Sequence, residues 1–148
     1  MSGACATKPD ATVLAFDFGT RRIGVAIGNT LTRTARPLRT IDATSAGVRF
    51  ASIAALLDEW RPEQLVVGLP VHADGTEHAM TARARDFAGD LKRRFARPVA
   101  LVDERYTSEL ARQALAASGR GGRADRGLID QVAAQTILQS WFDERHES

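Results

Sequence analysis

Two short apolar runs near the start of the chain are separated by a tight, glycine-containing tetrapeptide. Val13–Phe18 is apolar except for Asp17, the segment Gly19–Arg22 follows, and Ile23–Ile27 then resumes the apolar pattern. Apolar runs of this length joined by a glycine turn are typical of a β-hairpin. The pattern therefore predicts that a pair of antiparallel strands opens the fold.

Periodic apolar segments continue along the rest of the chain. In chain order they are a strand at Thr34–Ile41, a helix capped by Ser45 that ends before Arg61-Pro62, a strand at Gln64–Leu69, a helix through Met80–Phe95, a strand at Pro98–Val102, a helix capped by Thr107 and a helix at Leu128–Phe142. Pro37 predicts that the third strand lies at a sheet edge or contains a bulge. The fourth and fifth strands are continuously apolar, which is typical of strands buried on both faces, and we expect the fourth to be central. This order predicts an α/β fold with a mixed five-stranded sheet and helices on both of its faces.

Length and composition limit the number of domains and the class of protein. The 148 residues suit one core, and 44% apolar and 26% charged residues are ordinary for a globular chain. We expect a disordered tail over residues 1–12, a single domain over residues 13–144 and a short tail over residues 145–148. A lone cysteine, no signal segment and no apolar run of membrane length together predict a cytoplasmic protein with no membrane partner.

The charge of the chain does not by itself indicate a nucleic-acid partner. The formal net charge is only +2, although nearly all of the cations are arginine, whose fork of donors suits phosphate. A GC-rich genome explains an excess of arginine equally well. Both interpretations are open from composition alone.

Carboxylates lie at the ends of three predicted elements. Asp17 ends the first strand, Asp103 and Glu104 end the fifth, and Asp130 is expected in the first turn of the last helix, where it would also favour the helix dipole. A buried carboxylate needs a cationic or hydrogen-bonding partner, so Asp17 either pairs with a following arginine or belongs to a metal or phosphate site. Acids at these positions can converge on Mg²⁺, which prefers oxygen ligands. Two such ions about 3.5 to 4 Å apart can activate water and stabilise the leaving oxygen of a phosphodiester.

Four blocks of the chain resemble, in the same order, the YqgF family, also called RuvX. This bacterial family has a ribonuclease H-like fold related to that of Holliday-junction resolvases. The blocks are FDFGTRRIGVAIGN (16–29), VVGLPVHADGTE (66–77), LVDERYTS (101–108) and IDQVAAQTILQSWFDE (129–144), so the resemblance spans nearly the whole chain from Val13 to Glu144. It implies a mixed sheet whose first three strands are antiparallel. It also implies a nuclease of structured nucleic acid that processes the 5′ end of pre-16S ribosomal RNA in ribosome biogenesis, or that resolves Holliday junctions in DNA recombination and repair.

The resemblance also assigns the catalytic acids. The acidic positions of the family fall on Asp17, Glu104 and Asp130, which would be the ligands of Mg²⁺ or Mn²⁺, with two ions expected. Asp103 is the less favoured ligand, because neighbouring strand residues point to opposite faces. Gly19 would let the backbone approach the metal or a phosphate, because it has no Cβ.

Several arginines are candidates for contacts to the nucleic-acid backbone. They are Arg21, Arg22, Arg105, Arg120, Arg123 and Arg126. Each has an alternative explanation. Arg21 and Arg22 are also explained as solvated charges on a hairpin, and Arg105 as a partner of Asp103. The other three are also explained as part of an exposed glycine-rich loop at Ser118–Gly127. The chain also departs from the family, which usually has lysines just before the acid of the last helix, where this chain has Gly127–Ile129.

The substrate and the oligomeric state are open from the sequence. The same chemistry acts on pre-rRNA, alone or in a ribosomal particle, and on branched DNA. A monomer can trim a leader, whereas paired cuts in a junction favour a two-fold homodimer. The alternative from another class is a non-catalytic RNA-binding factor of ribosome assembly or transcription, against which the three intact acids argue. The phosphate hairpin of actin-like ATPases is disfavoured, because this chain has room for only one lobe.

Overall fold

The computed structural model describes the backbone of residues 11–70, 79–103 and 126–147, and all of their side chains except those of residues 126, 127 and 145–147. Five strands and three helices lie in these ranges. They are β1 (Thr12–Asp17), β2 (Arg22–Asn29), β3 (Thr34–Asp42), α1 (Ala46–Trp60), β4 (Gln64–Leu69), α2 (Ala79–Phe95), β5 (Val99–Asp103) and α3 (Arg126–Glu147). The first ten residues of the predicted N-terminal tail and the helix expected after Thr107 lie outside the described residues. Thr12 begins β1 and α3 continues to Glu147, so the described elements extend slightly beyond both expected domain boundaries.

The five strands form one mixed sheet in the order β3-β2-β1-β4-β5. β2 is antiparallel to β1 and β3, whereas β4 is parallel to β1 and β5. The mixed sheet with three antiparallel strands first is therefore confirmed, and β4 is an interior strand beside the central β1. Because β1, β4 and β5 run in the same direction, their carboxyl-terminal ends lie at the same end of the sheet, where β2 begins.

Two apolar clusters cover the two faces of the sheet. The α1/α2 cluster joins alternate residues of β1 and β2, such as Leu14, Phe16 and Val25, to the buried sides of α1 and α2. The α3 cluster joins the intervening residues, such as Ala15 and Ala26, to the buried side of α3. Helices thus lie on both faces, as predicted, and a residue's position along a strand determines which helices it contacts.

Local signals explain the bounds of the first helix and the course of the edge strand. The Ser45 hydroxyl accepts a hydrogen bond from the amide of Val48 at 3.1 Å and caps α1, whose other end has Arg61 in the left-handed conformation, with φ 48°. In β3, the register against β2 shifts beside Pro37. Among the described strands β3 is at an edge, so both readings of this proline, an edge strand and an irregular register, are confirmed.

Two expectations about the later elements are wrong. β5 is not buried on both faces: it is the other edge strand of the described sheet, and Leu101 is 46% exposed. The last helix begins at Arg126, so Asp130 is not in its first turn. The glycine-rich sequence before Asp130 suggested a loop, but Gly127 is helical. The favourable interaction of Asp130 with the helix dipole is correspondingly reduced, because this effect is largest in the first turn.

Candidate metal and nucleic-acid site

Asp17 is the last residue of β1 and faces the α3 side of the sheet. Phe16 belongs to the α1/α2 cluster and Ala15 to the α3 cluster, so alternation along the strand places the Asp17 side chain on the α3 side. The residue is half-buried and pairs across the hairpin with Gly24 of β2. Whatever lies over Gly24 on this face therefore also lies beside Asp17.

Gly24 is covered by the backbone of Asp130. A Cβ at Gly24 would lie 1.9 Å from the Asp130 carbonyl oxygen and 2.9 Å from the Asp130 Cβ, which no real side chain tolerates. The missing side chain thus allows α3 to lie directly on β2 and places Asp130 next to the strand position opposite Asp17. Sequence reasoning missed this residue, although a glycine inside an otherwise apolar strand is a known signal of close backbone approach.

Small residues extend this close contact along β2. Ala26 belongs to the α3 cluster, and a Cβ at Gly28 would lie 2.7 Å from Cε2 of Phe142 on α3. Every second residue of β2, from Gly24 to Gly28, is therefore glycine or alanine on the side that α3 covers. The strand is built to hold the helix at short distance over several residues, which determines where Asp130 lies.

Arg22 binds the carboxylate of Asp130. Its Nε donates a hydrogen bond to Oδ2 of Asp130 at 2.6 Å, and the side chains are 40% and 21% exposed. The sequence placed Arg22 among the candidate phosphate contacts, and the structure gives it an acidic partner 108 residues away. The arginine adds one positive charge beside the two carboxylates at this end of the sheet.

Three glutamines on one side of α3 connect the helix to the edge strand β3. Gln131 donates to the Thr40 hydroxyl and Gln135 to the Ala35 carbonyl, both at 3.0 Å. Gln139 accepts from the Ala35 amide at 3.2 Å and donates to the Arg33 carbonyl at 3.0 Å. Side chains four residues apart thus bind one side-chain hydroxyl and several backbone groups at the edge strand, and they help to set the position of α3 along the sheet. Periodicity alone did not reveal this role.

The alternation of β5 determines which face of the sheet Asp103 occupies. Asp103 pairs in register with Leu69, which packs against the α1/α2 cluster, whereas Val102 belongs to the α3 cluster. Asp103 therefore faces away from the side on which Asp17 and Asp130 meet. Glu104 lies outside the described residues, so its assignment as a ligand stays a prediction.

The remaining predicted residues are placed only in part. A Cβ at Gly19 would lie 2.6 Å from the carbonyl oxygen of Arg22, so the hairpin itself requires this glycine. The carbonyl of Arg21 accepts a hydrogen bond from the Ala43 amide at 2.9 Å, and its side chain is exposed. The other candidate arginines have no described side chain; they are Arg105, Arg120, Arg123 and Arg126.

The described part of the site supplies oxygen donors of the kind that hard divalent cations bind. Asp17 and Asp130 contribute carboxylates from a strand end and a helix, with no side chain at Gly24 between them. Within the described ranges, no three acidic, histidine or cysteine side chains form a metal-binding group. The third predicted acid, Glu104, is outside those ranges. The two described carboxylates are therefore consistent with two of the three predicted metal ligands.

Comparison with known proteins determines the family. Residues 11–144 match the family model described as "RuvX: Holliday junction resolvase". The chain belongs to the RuvX family. This confirms the resemblance found in the sequence, and the match covers all three predicted acids.

Curated relatives of this RuvX protein are more than 50% identical to it over the aligned residues. A protein of Chromobacterium violaceum is 55% identical over 132 residues, covering 88% of this chain and 96% of the relative. One of Nitrosomonas europaea is 56% identical over 135 residues, covering 91% of each. Both relatives are named "Putative pre-16S rRNA nuclease".

Solved structures with a similar fold are more distant in sequence. Thermus thermophilus RuvC in complex with a Holliday junction substrate superposes with a TM-score of 0.56 at 19% identity, covering 92% of this chain and 96% of RuvC. The fowlpox virus Holliday junction resolvase superposes with a TM-score of 0.55 at 13% identity, covering 91% of this chain and 99% of the resolvase. At these identities the similarity establishes the ribonuclease H-like fold. Among the described residues of this chain, no helix is long and apolar enough to span a membrane.

Proposed function

We propose that this RuvX protein is a metal-dependent nuclease that hydrolyses phosphodiester bonds of structured nucleic acid, with the 5′ end of pre-16S ribosomal RNA as its substrate. The observation that carries the proposal is the position of Asp130, whose backbone lies on Gly24, the residue that pairs with Asp17 across the hairpin. Two acids far apart in sequence thus lie on the same side and at the same end of the sheet. The names of the bacterial relatives support the choice of substrate.

Asp17, Asp130 and Glu104 would hold Mg²⁺ or Mn²⁺, with two ions expected. Such ions supply a water of lowered pKa and Lewis acidity toward a phosphodiester. The alternation of β5 supports Glu104 over Asp103: if the strand continued by one residue, that residue would face the same side as Val102 and Asp17. The chain's own contribution is to hold carboxylates from three elements against one side of the sheet.

The arginines would hold the substrate rather than take part in the chemistry. Arg21 is exposed in the turn after β1, and Arg22 lies beside Asp130. From these positions both would contact phosphates that flank the bond to be cut. Arg105, Arg120, Arg123 and Arg126 belong to the same proposal from sequence alone. Contacts of this kind add affinity without sequence preference and weaken as salt rises.

The proposal is tested by cleavage of a pre-16S 5′-leader RNA with Mg²⁺, with Mn²⁺ and with EDTA. Wild type should cut only with metal. Asp17→Asn should slow cutting by about a hundred-fold or more, because even the loss of a group that merely orients a metal ligand costs roughly 10- to 100-fold. Asp58→Asn, which removes an exposed acid on α1, is the matched control and should cut as wild type does. Cutting by Asp17→Asn at the wild-type rate would contradict the metal site.

Resolution of Holliday junctions is the second candidate, favoured by the description of the family. A four-way DNA junction should therefore be tested beside the leader RNA, with the oligomeric state measured by light scattering. Preferred, symmetric cutting of the junction by a homodimer would support the resolvase. Cutting of the leader by a monomer would support RNA processing.

The third candidate is not an enzyme: it is a non-catalytic RNA-binding factor of ribosome assembly or transcription. It would replace the nuclease if purified protein bound the leader tightly but cut neither substrate with any metal. A pre-rRNA substrate also implies a cytoplasmic location and contact with ribosomal particles. Both belong to the nuclease proposal and are tested by co-sedimentation with ribosomal precursors.

A further inference from the structure

A groove lies at the same end of β1 as Asp17 but on the opposite face of the sheet. Its volume is about 350 Å³, within the range of small-molecule sites. The end of β1, α1 and α2 line it. We term it the Phe18 groove, and its residues that matter here are Phe18, Arg49, Arg83, Asp86, Phe87 and Asp90. The nuclease proposal uses none of them.

The groove is close to the proposed site of cutting. Phe18 directly follows Asp17, and it packs against the α1/α2 cluster, with its ring centroid 4.9 Å from that of Phe87. Asp17 faces the other side, toward α3. A nucleic-acid strand that is cut at Asp17 and continues across this end of the sheet would bring a nucleotide near the cut bond to the groove.

The guanidinium of Arg49 lies beside two aromatic rings of the groove region. Its carbon is 5.9 Å from the ring centroid of Phe18 and 5.4 Å from that of Phe50. A planar guanidinium is a surface on which nucleic-acid bases stack, as aromatic rings are. Arg49 therefore gives the groove a group that suits the flat face of a base.

Charges of both signs in the groove favour a base over a phosphate. Arg49 and Arg83 supply donors, whereas Asp86 and Asp90 supply carboxylates. Asp90 is engaged by Arg93 on the same helix, but Asp86 forms no ion pair with a described residue. A carboxylate repels phosphate, whereas it accepts hydrogen bonds from the amino group of a base.

We infer that the Phe18 groove binds the base of one unpaired nucleotide next to the bond that is cut. The base stacks on the guanidinium of Arg49, and Asp86 accepts hydrogen bonds from its edge. Guanine fits one carboxylate best, because its Watson–Crick edge has two adjacent N–H donors. Uracil, which has no amino group, fits worst. The inference rests on the proposed function, since it takes nucleic acid as the substrate.

The test is binding of fluorescent RNA hexamers of each single base, measured by anisotropy in EDTA so that nothing is cut. Wild type should bind the guanosine hexamer more tightly than the uridine hexamer. Arg49→Met keeps the aliphatic packing but removes the guanidinium, and it should weaken binding by about ten-fold, the scale of losing one stacked base. Asp86→Asn should leave the affinity for uridine unchanged and reduce the preference for guanosine.

Arg61→Met is the matched control, because it removes the same charge at the other end of α1, roughly 18 Å away along the helix axis. Equal binding by Arg49→Met and Arg61→Met, with both variants folded by circular dichroism, would overturn the inference, as would equal binding of all four hexamers by wild type. Hexamer binding needs neither metal nor cutting. If wild type cuts RNA but shows no base preference, only this inference is overturned. If it shows the base preference but does not cut, only the nuclease proposal is overturned.

Discussion

The Nε of Arg22 donates a hydrogen bond to Oδ2 of Asp130 at 2.6 Å, at the point where α3 lies on β2. One proposed metal ligand thus shares its carboxylate with a cation of the chain itself. On the proposed function, a metal ion at Asp130 would gain a ligand already oriented by the arginine, but it would also meet a positive charge. We therefore expect the arginine to lower the affinity for metal while it holds the acid in place.

Replacing Arg22 with methionine should strengthen metal binding. Removal of the positive charge lowers the repulsion toward a divalent cation and releases one carboxylate oxygen. Because Arg22 is 40% exposed, the gain should be modest, about two- to five-fold in the dissociation constant of Mn²⁺. Titration calorimetry with Mn²⁺ measures it. Arg21→Met removes the neighbouring exposed charge and should change the affinity less; equal or weaker binding by Arg22→Met would show that the ion pair supports the metal site instead.

Replacing Gly24 with alanine should disrupt the contact between Asp130 and the strand. The new Cβ would lie 1.9 Å from the Asp130 carbonyl oxygen, so α3 has to move. Overpacking of this kind typically costs about 1 to 3 kcal/mol of unfolding free energy. Because Asp130 is displaced, the rate of metal-dependent cutting should also fall under conditions in which the variant is still folded. Urea unfolding and the cleavage assay measure the two effects.

Gly89→Ala is the control for that substitution. Gly89 lies inside α2, and its new Cβ would meet nothing closer than 3.6 Å. Alanine in place of glycine in a helix should stabilise by about 0.5 to 1 kcal/mol, with cutting unchanged. If both alanine variants had the same stability and the same rate of cutting, the close approach of α3 to Gly24 would not be needed for activity.

Local sequence signals predicted the framework of the site. The glycine turn after Asp17 predicted the first hairpin, and Ser45 with Arg61-Pro62 predicted the bounds of α1. These signals act over a few residues, so they can be recognised without the fold. The meeting of Asp130 with Gly24 and Arg22 is different, because it joins positions about a hundred residues apart and depends on how closely a helix approaches a strand.

The same limit explains the two expectations that the structure overturned. The apolar composition of β5 does not distinguish an interior strand from an edge strand, since that depends on which strands pair beside it. The glycines before Asp130 indicated a loop, but Gly127 is part of α3 despite the low helix propensity of glycine, which is a weak signal at a single position. The assignment of the third acid, Glu104, as a metal ligand is supported only by the sequence and by the alternation of β5.

Replacing Gln139 with leucine should loosen the attachment of α3 to the edge of the sheet. The side chain accepts a hydrogen bond from the Ala35 amide and donates to the Arg33 carbonyl and to Oδ1 of Asp143, so the substitution removes three bonds, two of them to backbone groups at the start of β3. We expect a loss of about 1 to 3 kcal/mol in unfolding free energy. Gln131→Leu, which removes one bond to Thr40, should cost less. Urea unfolding of both variants tests the order, and an equal or reversed order would contradict the role of Gln139.

The pH dependence of stability should include a contribution from Asp42. The amide of Thr44 donates to Oδ1 of Asp42 at 2.9 Å and its hydroxyl at 2.7 Å, and these bonds hold the pKa of this carboxyl below its ordinary value. Because the folded pKa is lower than the unfolded one of about 3.9, the stabilisation is fully present above the unfolded value and is lost as pH falls through the folded value. Thr44→Val removes the hydroxyl bond but keeps the amide bond, so the pKa of Asp42 should rise part of the way toward its ordinary value. Carboxyl carbon shifts measured by NMR between pH 2 and pH 6 test this, and an unchanged Asp42 titration in Thr44→Val would assign the whole effect to the amide.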